Sequence, residues 1–145
     1  MSLKGNTVLE RCERIVEIPS LIFEEGKKLA GLRAELRVQE RKIEKREALL
    51  RKELMELGEY QACKNKEERD ALYLHSKHSD LGLETFVERL EQLQALIDHS
   101  RNKKEALEHE RKSLKAALER EYAEIIERTL QDKALANAVA GRWAA

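Results

Sequence analysis

The sequence predicts an all-α protein: a long antiparallel two-helix coiled-coil hairpin with a short helix at the tip and a small helical bundle at the base. Three observations carry this. Charged residues fill 39% of the 145 positions and aromatics 4%, well away from the roughly one-quarter charged composition of a compact globule. The charges alternate with regularly spaced Leu and Ile, which points to long solvated helices sharing a narrow apolar seam and not to disorder. Ile22, Leu29, Leu36, Ile43, Leu50 and Leu57 then recur at intervals of seven. That period keeps one stripe facing a partner in a left-handed supercoil.

Taken in order, the elements begin at Thr7 and Glu10, a capping-box spacing in which hydroxyl and carboxylate satisfy free backbone N–H groups reciprocally. A short helix follows, with Val8, Cys12, Ile15 and Val16 on one face, expected to end or kink at Pro19. Ser20 offers a fresh N-cap for the first long arm, residues 20–57, which Gly58 closes. Gly26 and Gly31 either weaken the start of this arm or mark a close approach of the first helix.

Residues 58–82 form the tip. Its helix starts at Asn65 as cap, with Glu67 and Glu68 in the first turn, where the helix dipole favours anions. Ser79, Asp80 and Gly82 break the run, and Thr85 with Glu88 repeats the capping-box spacing. The second arm, residues 83–128, carries Leu83, Leu90, Ile97, Leu118 and Ile125 in one heptad column, with Lys104 and Arg111 intruding. The other column holds Phe86, Leu93, Leu107 and Leu114, with Ser100 and Glu121 as polar members. Such intruding charges lower seam stability but specify register, and their long stems reach acids on the partner helix, for instance Glu35. A base bundle is expected from residues 5–27 and 118–143, the latter rich in alanine and ending near Trp143, which would be buried there.

Charge is balanced overall, 28 basic against 28 acidic, so no global excess advertises nucleic acid. Locally, residues 27–52 hold ten basic and four acidic side chains, and residues 101–120 seven and four. If Leu57 and Leu83 flank the tip, antiparallel partners carry numbers summing to about 140, and the two basic stretches lie side by side. Arg33, Arg37, Arg41 and Lys104 would then form a basic mid-shaft able to contact phosphates. The alternative is the solvated flank of a coiled coil.

No catalytic, cofactor or metal site is expected. His75 and His78, near Cys63 and Asp80, lack zinc-ligand spacing. His99 and His109 with Glu105, Glu108 and Glu110 point in several directions from one helix, without the enclosure that acid–base catalysis needs. Cys12 and Cys63 make no disulfide framework. No apolar run has membrane-spanning length, and the first residues carry no signal-peptide pattern. A cytoplasmic protein without membrane association is the expectation.

The segment Lys64-Asn65-Lys66-Glu67-Glu68-Arg69, set between two heptad helices, resembles small uncharacterised helical-hairpin proteins of bacteriophages and prophages. The resemblance implies a setting in phage DNA metabolism or host takeover and supplies no catalytic residue. In architecture the chain also looks like the helical stalk proteins of flagellar and type III export. Three functions therefore stand open. The first is a non-catalytic interaction or scaffold protein that binds a protein partner or itself, as a homodimer, using the off-seam residues Leu49, Met55, Leu96, Ala117 and Ile126. The second is a nucleic-acid-associated protein using the basic mid-shaft, and the third an export or assembly chaperone.

Overall fold

The computed structural model describes residues 7–144, with side chains through Arg142. They form four helices: α1 (Val8–Met55), α2 (Gly58–Gln61), α3 (Lys66–Ser79) and α4 (Leu81–Ala144). No strand occurs among the described residues, so the protein is all-α. Contacts divide it into two compact units, one spanning Glu25–Asn102 and the other built from α1 through Glu24 with α4 from Lys103 onward. In each unit α1 and α4 pack closely.

The caps explain where the helices start. Thr7 and Glu10 form the expected box, the Glu10 N–H donating to Thr7 Oγ1 at 3.2 Å and the Thr7 N–H to Glu10 Oε2 at 3.1 Å. Asn65 caps α3 by accepting from the Glu68 N–H at 2.9 Å, and Glu68 returns a bond to the Lys64 N–H at 2.8 Å. The expected box at Thr85 does not form. Thr85 lies inside α4, its hydroxyl donating to the Leu81 carbonyl, and Asp80 is the cap.

Pro19 does not end a helix. It sits within α1 on an exposed face, where water can satisfy the carbonyl that its missing N–H leaves free. Ser20 is accordingly no cap, and the separate helices expected for a base bundle are simply the two ends of α1 and α4. The arm boundaries move with them: α1 stops at Met55, and Gly58 opens α2 instead of closing the first arm. Trp143, expected to be buried, has a side chain outside the described residues.

α3 runs antiparallel along the last turns of α1. Lys77 Nζ pairs with Glu47 at 3.1 Å, and the Arg51 guanidinium lies 4.5 Å from the Tyr73 ring centre. Beneath it Leu50 and Leu54 are buried. At the joint between α3 and α4, Asp80 performs three tasks. Its N–H donates to the Lys77 carbonyl at the end of α3, and its side chain accepts from the Leu83 N–H at the start of α4. The same carboxylate takes two hydrogen bonds from Arg46 of α1, at 2.8 and 2.7 Å. The Arg46 bonds above all, with the Leu83 N–H adding to them, hold the Asp80 carboxyl down to about 2.

Two predictions follow from this geometry. A carboxyl whose pKa falls on folding stabilises the fold above its unfolded value and loses that contribution as pH drops through the folded value. The α3–α4 joint should thus hold at neutral pH and release between about 4 and about 2, read as a Leu83 amide shift titrating in that window. Asp80→Asn should abolish that titration; an unchanged profile would contradict the assignment. Separately, a Cβ built on Gly31 or Gly26 meets no atom within 4 Å, which removes the close-approach reading. Gly31→Ala should raise stability by about 1 kcal/mol in chemical denaturation.

Candidate functional site

Buried polar groups set how α1 meets α4. In the unit spanning Glu25–Asn102, Glu25 and Ser100 are buried together, Ser100 Oγ donating to Glu25 Oε1 at 2.7 Å. Seven-residue steps lead on to Gln39, also buried, whose Nε2 donates to the Phe86 carbonyl at 3.1 Å, and then to Arg46 with Asp80. On the surface Arg89 pairs with Glu35 at 2.5 Å. Each of these partnerships joins residues whose numbers sum to about 125.

The expected sum of about 140 is therefore corrected by some fifteen residues. The reason is the tip: α3 folds back onto α1 and occupies the stretch that α4 was expected to cover. The correction reverses the electrostatics. Residues 27–46, with eight basic and three acidic side chains, lie beside residues 81–98, with four acidic and one basic. A net-basic stretch thus lies beside a net-acidic one, where the sequence had predicted basic against basic.

The second unit follows the same register. Arg14 donates to Glu110 from Nε at 2.8 Å and from Nη2 at 3.1 Å. These bonds, opposed by some desolvation, lower the Glu110 carboxyl and raise the Arg14 guanidinium from their ordinary values. Ile18, Leu107 and Leu114 form the core, flanked by Ile15, Leu21 and Ile22. Arg11 pairs with Glu121, and there the partnership ends.

Beyond Glu121, every residue of α4 whose side chain is described, 122–142, is exposed. Among them are Tyr122, Ile125, Ile126, Leu130, Leu135 and Val139, six large apolar side chains between 42% and 67% exposed. No described residue of α1 runs alongside this stretch. At about 1.5 Å per residue it is a helix of about 30 Å, with these apolar side chains spread over more than half of its circumference and polar ones set among them. It is the candidate contact surface.

The other expected site residues fall as follows. Leu29, Leu50, Leu83, Leu93, Leu107 and Leu114 are buried, and Ile22, Leu36, Ile43, Leu90, Ile97 and Leu118 are partly buried. Leu57 and Ile125, expected in the seam, are 51% and 58% exposed. Leu57 lies past the end of α1 as the residue before α2, and Ile125 lies past the last α1 partner. Arg33, Arg37 and Arg41 are exposed on α1 in one unit, whereas Lys104 belongs to the other, so the four do not form one patch within a unit. Glu35, suggested as a partner for the intruding seam charges, is taken by Arg89. Of the off-seam residues, Leu49, Met55, Leu96 and Ile126 are exposed and Ala117 is partly buried.

Among the described residues no group of three His, Cys, Asp or Glu side chains comes together as a metal site. Asp80 is engaged by Arg46, and Cys63 donates to the Glu59 carbonyl. His99 and His109 are exposed. No described helix is long and apolar enough to cross a membrane. No protein-family model, curated protein or solved structure matches the chain.

Sequence reasoning missed the register, although its signal was present. Glu25, Gln39 and Arg46 share one heptad column, as do Ser100 and Phe86 on the other arm. Glu25 opposite Ser100 was the pairing legible there, whereas Gln39 meets the backbone of Phe86, which sequence pattern does not mark. The assignment predicts contrasting truncations: Leu93→Ala, at a site with no exposure, should lose about 2–5 kcal/mol of stability in urea titration. Leu57→Ala should change it by less than about 0.5 kcal/mol. Equal losses at the two sites would contradict the assignment.

Proposed function

We propose that this is a non-catalytic interaction or scaffold protein whose α1 and α4 zip as an antiparallel coiled-coil hairpin. It assembles with a second copy of itself through the end of α4. The observation that carries this reading is the run of exposed large apolar side chains along residues 122–142. Its charge pattern favours self-association in one direction. Glu124 and Glu127 make the first part acidic, while Arg128, Lys133 and Arg142, against Asp132, make the rest basic. Antiparallel copies set acidic against basic halves, and parallel copies set like against like.

The magnitudes describe a reversible dimer. Six apolar side chains per copy make twelve in the pair; half-covered, at about 1 kcal/mol each, they contribute on the order of 10 kcal/mol. Association opposes this with roughly 4–15 kcal/mol of lost freedom. At the low end of that cost the balance leaves about 6 kcal/mol, an assembly that forms at tens of micromolar or above and separates on dilution. The likeness of the tip segment to phage and prophage proteins supports a viral setting for this scaffold.

Sedimentation velocity over a hundredfold or so concentration range tests the proposal. The expected result is a shift from monomer to dimer as concentration rises. Ile126→Glu with Leu130→Glu should hold the protein monomeric with helicity unchanged in circular dichroism. A native chain that stays monomeric throughout, or a double variant that still dimerises, would refute it.

A further inference from the structure

The tip holds a second feature of a different kind. Between the last turn of α1, α2 and the first turns of α3 lies a cavity of about 400 Å³. Lys66, Arg69, Asp70 and Tyr73 line it from one face of α3, at helical spacing, and Arg51 and Tyr60 line it from α1 and α2. Three cations thus converge there against one carboxylate. None of the three is in an ion pair with a described carboxylate, in contrast to Arg46 and Lys77 nearby, which are neutralised by Asp80 and Glu47.

The two guanidinium groups are also held in place. Arg51 lies 4.5 Å from the Tyr73 ring centre and Arg69 lies 5.7 Å from that of Tyr60. A guanidinium resting on a ring keeps its N–H donors free for a planar acceptor and has less side-chain freedom to lose on binding. The hydroxyl of Tyr73, which lines the cavity, is buried without a hydrogen-bond partner among the described residues. Buried donors are normally satisfied, so this hydroxyl is an unmet hydrogen-bonding group at the edge of the cavity.

We propose that the tip cavity binds a nucleoside phosphate, its phosphoryl group held by Arg51, Lys66 and Arg69. Phosphate matches the paired guanidinium donors bidentately and offers enough charge for three cations. Size argues for more than a bare anion: about 400 Å³ is within the range of organic ligand sites and far exceeds one phosphate. The apolar walls from Leu54 and Met55 then receive the sugar and base. The ligand is either a free mononucleotide or the terminal nucleotide of a single strand, which share this chemistry.

Titration of the ¹⁵N-labelled full chain separates these sources and tests the site. The probes are inorganic phosphate, a nucleoside 5′-monophosphate, and a short single-stranded oligonucleotide with or without a 5′-phosphate. The expected result is saturable amide shifts confined to residues lining the tip cavity, with the nucleotide binding at least about tenfold tighter than inorganic phosphate. Tighter binding of the 5′-phosphorylated strand than of the mononucleotide assigns the strand end; the reverse order assigns the free nucleotide. Arg69→Gln should weaken binding about tenfold or more. Arg37→Gln, on the shaft, should leave it unchanged. Circular dichroism of each variant reports folding. Inorganic phosphate binding as tightly as the nucleotide, equal weakening by Arg37→Gln and Arg69→Gln, or no shift with any probe at millimolar concentration would overturn the proposal.

Discussion

The contact between Arg46 and Asp80 governs the unit that carries the tip. Asp80 ends α3 through its N–H, begins α4 through its side chain and is tied to α1 by two short hydrogen bonds. A charged side chain that caps one helix while paired with a third element locks three segments at once. Moving α4 by a single turn along α1 would break the pair and uncap the helix together. Apolar heptads alone lack that discrimination, because Leu facing Leu tolerates a seven-residue slip far better than a buried carboxylate tolerates losing its partner.

Register then decides the electrostatic character of the whole pairing. With Glu25 at Ser100 and Gln39 at Phe86, the basic face of α1 meets the acidic start of α4. In the unit built from α1 through Glu24 and α4 from Lys103 onward, α4 runs on past the Arg11–Glu121 pair, and six large apolar side chains there are exposed.

The two proposed surfaces are chemically distinct. The end of α4 is a helix with exposed apolar side chains and polarised charge, suited to another helix. The tip cavity is cationic and lined with tyrosines, suited to a nucleoside phosphate. Neither has the enclosure and perturbed titratable pair that marks an acid–base active site, and the shifted groups, Asp80 and Glu110 with their arginines, are each engaged in structural pairs.

The helical class, the caps at Thr7 and Asn65, and the burial of most heptad Leu and Ile were legible from local spacing: seven-residue apolar repeats and side chains that reach backbone groups three positions away. Continuity through Pro19, the end of α1 at Met55 and the cap at Asp80 were decided by tertiary structure. So were the exposure of Leu57 and Ile125 and the pairing of basic with acidic stretches. The physical reason is common to all of them. A heptad repeat specifies which face of a helix is apolar but not which turn of the partner it meets; that choice belongs to the few buried polar contacts and to the fold-back of α3, both of which join residues far apart in the chain.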